Sequence, residues 1–130
     1  MAEPRSRISP SLEDYLEAVL ELAGDDNGAR TTDVAAKLGV SKASVNQAMG
    51  LLVNRGLIIR ERYGPVYLTE DGRDAAQAVC RRHRAIKSFL ISVLGVDESA
   101  AEEDACQIEH VVSKETMASL IDFMERGTGR

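Results

Sequence analysis

Residues 31–58, TTDVAAKLGVSKASVNQAMGLLVNRGLI, decide the fold. Thr32 is placed to cap a short helix over residues 33–38, Gly39-Val40 makes a tight turn, and Ser41 caps a longer helix running toward Asn54. Two helices separated by so few residues must cross sharply, so that Val34, Leu38, Val40, Val45, Met49 and Leu52 close over a preceding helix as one small core. These are the requirements of a helix-turn-helix. Ser41, Lys42, Ser44, Asn46 and Gln47 fall in the first turns of the second helix, the end that such a motif presents to the major groove of DNA. Asparagine and glutamine can pair bidentately with adenine edges, while Lys42 and the helix N-terminus suit phosphate. A three-helix scaffold whose polar surface is merely solvated is the alternative.

Upstream, Ser9-Pro10 or Ser11 opens a helix through about Ala23, with Leu12, Tyr15, Leu16, Val19, Leu20 and Ala23 at helical spacing, and residues 24–28 end it. Downstream, residues 57–63 and 66–68 are rich in β-branched and aromatic side chains and flank Gly64-Pro65, which reads as a hairpin wing. Arg60 and Arg62 alternate along its first strand and share a face that would follow the DNA backbone or minor groove; as arginines on an edge strand they equally need no function. Thr69 caps a long helix from Glu70 to about Leu94, stopped by Gly95. Asp97 or Ser99 caps the next through Val112, and Ser113 caps a last one ending at Gly127. The predicted fold is mainly α: an N-terminal winged helix-turn-helix with a small β-hairpin wing over residues 1–74, then a helical dimerisation domain over residues 75–130.

With 130 residues, 44% hydrophobic and only 4% aromatic, the chain must pack on Leu, Ile, Val, Ala and Met, which favours helices over a sandwich or barrel. Two cysteines, Cys80 and Cys106, are too few for a disulfide framework, so reduced thiols are expected. The N-terminus lacks the apolar stretch of a secretory signal, and no run approaches the roughly 20 apolar residues of a membrane span. A cytoplasmic protein with no membrane partner is expected. The net charge of −5 is unevenly spread: between residues 30 and 62 six basic residues face Asp33 and Glu61, whereas between residues 97 and 125 nine acids face Lys114 alone.

Asp14 and Glu17, at i and i+3, project from one face of the first helix, although Ser11-x-x-Asp14 also fits a capping box. Cys106, Glu109 and His110 place a thiol, a carboxylate and an imidazole within one helical turn, a mixed set of S, O and N donors. His83 shares a face of the long helix with Val79, Ile86 and Leu90, where a histidine is commonly a core residue, and Cys80 packs as a small hydrophobe.

The stretches SLEDYLEAV, VSKASVNQ, YGPVYLTEDGR, RRHRAIKSFL and DACQIEHVVS, in this order over about residues 9–125, resemble the diphtheria toxin repressor family of iron- and manganese-responsive repressors of metal uptake. The resemblance implies that Asp14, Glu17, His83, Cys106, Glu109 and His110 lie around a regulatory metal site joining the first helix to the C-terminal helices. In the family's iron branch the position of Asp14 is typically methionine and that of Cys106 cysteine; in the manganese branch they are aspartate and glutamate. This chain is a hybrid, and its excess of hard oxygen donors favours Mn(II) slightly over Fe(II). The chain ends at Arg130, short of the extra C-terminal domain of longer members, and carries Lys87 where those members place an acidic ligand of a second metal site. Glu102 could reach an ancillary ion beside Glu109.

The implied protein is a metal-dependent repressor that binds a palindromic double-stranded operator as a homodimer and acts on no small-molecule substrate. Two recognition helices about one DNA turn, roughly 34 Å, apart read a palindrome far better than one. The last helices would supply the interface through Ile108, Val111, Val112, Leu120, Ile121, Phe123 and Met124. Two other readings stand beside it: a winged-helix regulator that senses an organic ligand, and a metalloenzyme.

Overall fold

The computed structural model describes residues 10–23, 28–62 and 64–128. Ser9, the loop at residues 24–27 and Tyr63, all used in the sequence reading, lie outside them. Among the described residues the order is α1 (Leu12–Ala23), α2 (Thr31–Leu38), α3 (Lys42–Asn54), β1 (Ile58–Arg60), β2 (Val66–Leu68), α4 (Glu70–Ser92), α5 (Glu98–Ile108) and α6 (Lys114–Thr128). The mainly helical class and the winged arrangement are as expected. The chain divides into two compact units, Met1–Gln77 and Ala78–Arg130.

In the first unit Ser11 and Asp14 cap α1 reciprocally: Ser11 N donates to Asp14 Oδ2 at 2.9 Å and Asp14 N to Ser11 Oγ at 3.2 Å. Tyr15, Leu16, Val19 and Ala23 then face a core with Val34, Val45, Met49 and Leu52, and Leu38 and Val40 pack against its margin. Gly39 sits at φ 67°, the left-handed turn for which glycine is suited, and its N–H returns to the Ala35 carbonyl. Ser41 caps α3, accepting from Ser44 N at 3.1 Å.

Two expectations are corrected here. Helix α2 starts at Thr31, not Asp33, with Arg30 at its N-cap and no side-chain cap. The cause is tertiary: Ala29 exchanges two backbone hydrogen bonds of 2.8 Å with Val66 of β2, which fixes the chain just before Arg30, and the Arg30 carbonyl accepts from Asp33 and Val34. The wing is also shorter than the run of residues 57–63. Its register is Ile58↔Leu68, Ile59↔Tyr67 and Arg60↔Val66, so Arg62 lies in the turn beyond the strand and does not share a strand face with Arg60.

Residue 57 is lost to the strand because its backbone has other work. Leu57 N donates to Leu52 O and its carbonyl accepts from Thr69 N, both at 3.0 Å. Thr69 Oγ1 donates to Gly56 O at 2.7 Å and accepts from Gly72 N at 3.0 Å, so it caps α4 while tying that helix to the end of α3. Gly72 is buried against this junction, and a Cβ there would run into the Leu57 carbonyl.

In the second unit Ile86, Ala105 and Met117 are the buried centre of α4, α5 and α6, with Leu90, Ile108, Val112, Leu120 and Ile121 packed around them. Four residues expected at a subunit interface, Ile108, Val112, Leu120 and Ile121, therefore serve this core, and Met124 is buried as well. Val111 and Phe123 remain exposed. Asp97 caps α5 by accepting from Ser99 N, and Ser113 caps α6 by accepting from Thr116 N. Helix α5 ends at Ile108 and not at Val112: Val111 N bonds back three residues, to the Ile108 carbonyl, in a tightening turn that leads to Ser113 at the start of α6. Both cysteines are free thiols.

Candidate metal centre and nucleic-acid interface

His83 projects from α4 toward the side of α5 that carries Glu102 and Cys106, four residues apart and hence on one face. Its Nδ1 lies 3.0 Å from Glu109 Oε1 and 3.8 Å from Cys106 Sγ, while Nε2 lies 3.0 Å from Glu102 Oε1. Glu102 Oε2 in turn accepts from Cys106 Sγ at 3.6 Å. Donor atoms of His83, Glu102 and Cys106 all lie within 4.8 Å of one another. Of the residues expected at the metal site, the structure brings His83, Cys106 and Glu109 together. His110 follows in the turn after α5, half-buried, and Asp14 and Glu17 stand on α1 in the first unit.

Electrostatics reinforce the cluster. The Cys106 sulfur and the Glu109 carboxylate, joined by Glu102 and opposed by burial, hold a proton on His83 and push its pKa up to about 11. Burial raises the Glu102 carboxyl, but hydrogen bonds from His83 and Lys87 outweigh it and hold the group below its ordinary value. Lys87 Nζ reaches Glu102 Oε1 at 3.1 Å.

The residues fit a divalent transition metal on one observation above all. The Glu109 side chain is fully buried, its Oε1 meets His83, and its Oε2 has no hydrogen-bond partner among the described residues. Leaving such an atom buried and unsatisfied costs about 1–3 kcal/mol, which a cation would relieve. Sulfur, nitrogen and carboxylate oxygen around one point form a mixed donor set of the kind that binds Mn(II), Fe(II) and later metals. Sequence reasoning tied Glu102 to an ancillary ion beside Glu109; the structure sets its carboxylate against His83 and Cys106, a contact for which the spacing of Glu102 and Cys106 was the available signal.

In the first unit Lys42, Ser44, Asn46 and Gln47 are exposed on α3 and Ser41 is exposed at its N-cap, while the other face of the helix buries Val45, Ala48, Met49 and Leu52. The Ser41 hydroxyl is engaged in the helix cap, where it also donates to Ser44 Oγ at 3.0 Å. Arg60 and Arg62 are exposed, and Arg60 Nη2 donates to Asn46 Oδ1 at 2.7 Å.

Residues 7–66 match the family described as iron dependent repressor, N-terminal DNA binding domain, and residues 69–128 match iron dependent repressor, metal binding and dimerisation domain. The chain belongs to the iron-dependent repressor family. Members of this family are transcriptional regulators, not enzymes, which removes the metalloenzyme reading. An HTH-type transcriptional regulator of Methanocaldococcus jannaschii is 36% identical over 120 residues, covering 92% of this chain and 96% of that protein. The transcriptional regulator MntR of Escherichia coli O157:H7 is 36% identical over 115 residues, 88% of this chain and 74% of that one. Among solved structures, a manganese-dependent transcriptional repressor in complex with manganese superposes with a TM-score of 0.76 at 32% identity, covering 85% of this chain and 50% of that chain. The manganese regulator SloR gives 0.80 at 29% identity, covering 91% and 55%. This repressor-family chain thus spans about half the length of those solved relatives. None of its described helices is long and apolar enough to cross a membrane.

Proposed function

We propose that this chain is a cytoplasmic, homodimeric repressor that binds a palindromic operator when loaded with Mn(II) or Fe(II), and so controls genes of metal-ion homeostasis. The supporting observation is the buried Glu109 carboxylate, with one oxygen on His83 and the other unpartnered, beside the Cys106 thiol. His83, Cys106 and Glu109 would hold the metal, with His110, Asp14 and Glu17 as further donors. The bound ion supplies positive charge and fixed coordination geometry to a cluster otherwise held by protons. His83 must give up the proton it shares with Glu109 for a ring nitrogen to ligate. Residues 1–74 would be the DNA-binding domain and residues 75–130 the dimerisation and metal-binding domain.

Metal acts as co-repressor if it binds the DNA-competent arrangement more tightly than any other, since a ligand shifts an equilibrium only by its differential affinity. Lys42 and the N-terminus of α3 then contact phosphate, Gln47 reads a base edge, and Arg60 and Arg62 stand on the wing side of the same surface. The test is binding to a pool of randomised DNA duplexes, titrated with Mn(II), Fe(II), Co(II) and Zn(II) under anaerobic, reducing conditions. Enrichment of a palindrome only in the presence of metal is expected. Metal-independent enrichment would instead favour a regulator that senses an organic ligand.

A further inference from the structure

Arg60 lies on β1 and Asn46 on α3, fourteen residues apart, yet the guanidinium Nη2 donates to Asn46 Oδ1 at 2.7 Å. A guanidinium has donors only, so the atom it holds is the oxygen of the carboxamide and not its nitrogen. Asn46 is left with its NH2 to offer outward. The surface around it favours close approach: Ala43 and Gly50, three residues before and four after, are exposed and small, and a Cβ on Gly50 would meet nothing within 4 Å.

This contact changes what Asn46 can read. Adenine shows the major groove an acceptor and a donor side by side, so a bidentate asparagine needs both its oxygen and its nitrogen free. Oδ1 keeps a second lone pair, but the guanidinium on the first sets a positive charge and further N–H donors beside it, so an approaching adenine N6–H2 donor is repelled and that mode is disfavoured. The pair presents mainly donors and positive charge, with the Asn46 NH2 foremost, and guanine, with N7 and O6 adjacent, is the base edge that offers two acceptors. We infer that Arg60 is a positioning residue that sets base specificity through Asn46, and that the pair reads a guanine in each half-site. The inference rests on the proposal that this surface reads DNA.

The test is selection from a duplex pool randomised over roughly two helical turns, about 20 base pairs, by the manganese-loaded protein and its Arg60→Ala, Arg60→Lys and Asn46→Ala variants. The parent should enrich a guanine at one position of each half-site. Arg60→Ala frees Oδ1, and preference at that position should move toward adenine, with selectivity for guanine reduced about tenfold. Asn46→Ala should lose preference at the same position, and Arg60→Lys, which still donates to the oxygen, should keep guanine. Adenine in the parent, effects of the two alanine variants at different positions, or an Arg60→Ala variant that weakens all duplexes alike with preferences unchanged would each overturn the inference. The last would reduce Arg60 to a phosphate contact. A parent that enriches no duplex with any metal overturns the DNA-reading proposal itself, and is distinguishable because it involves no variant.

Discussion

Replacing Gly72 by alanine puts a methyl group where the Leu57 carbonyl stands, and both partners are backbone, so neither can rotate away. Either α4 shifts or the Leu57 peptide does. Overpacking of this kind costs about 1–3 kcal/mol. Moving Leu57 also breaks the 3.0 Å hydrogen bond from Thr69 N, worth about 1 kcal/mol. Alanine's better helix propensity returns about 1 kcal/mol, so the net loss is about 1–3 kcal/mol. At roughly 4 °C per kcal/mol for a chain of this size, Tm should fall by about 4–12 °C. Gly50→Ala is the control: it too is a glycine inside a helix, but nothing lies within 4 Å of its Cβ position, so it should gain up to about 1 kcal/mol. Circular dichroism melts of the chelator-treated protein give both numbers. A Gly72→Ala variant as stable as the parent would refute the packing of α4 against Leu57.

Further consequences concern DNA, metal choice and pH. Gln47→Ala should cost about 1–3 kcal/mol at one base position of each half-site if its contact is bidentate; Lys42→Ala should weaken all sequences alike and flatten the salt dependence. Equal loss on selected and random duplexes for Gln47→Ala would remove Gln47 from base readout. Cys106→Glu exchanges a soft donor for a hard one, so activation by Mn(II) should be kept or improved, and Asp14→Met should favour Fe(II) or Co(II). An unchanged rank order of metals in both variants would place selectivity elsewhere. Because the folded-state pKa of His83 is raised from 6.5 to about 11, its imidazolium stabilises the metal-free fold fully below pH 6.5, and that contribution is lost as pH rises through 11. Mn(II) must displace the same proton, so its affinity should rise with pH across that window; calorimetry showing no pH dependence would contradict this.

The parts of the fold legible in the sequence were those set by local chemistry. Ser41, Asp97 and Ser113 cap helices where their side chains said they would, and the helical spacing from Leu12 to Ala23 marked the buried side of α1. Apart from the early end of α5, what failed depended on distant backbone. Helix α2 starts early because Ala29 pairs with Val66, and the wing is short because Leu57 bonds Leu52 and Thr69. Nothing local in the sequence marks Gly72 as the place where α4 meets the Leu57 carbonyl. At the candidate site the i, i+3 spacing of Cys106 and Glu109 was visible, but the meeting of His83 with Glu109, twenty-six residues apart, was not readable from spacing and came from the family resemblance. The contact between Arg60 and Asn46 left no local trace for the same reason.

The most direct measurement is fluorescence anisotropy of a selected duplex titrated with Mn(II), for the parent and for Glu109→Ala, with circular dichroism and sedimentation run on both. On the proposed assignment Glu109 serves the metal more than the hydrophobic core, so the variant should remain folded and in the parent's oligomeric state, with some loss of stability in the metal-free form, while only the parent gains DNA affinity as manganese is added. A Glu109→Ala protein that responds to manganese as the parent does would contradict the assignment of the metal to this centre.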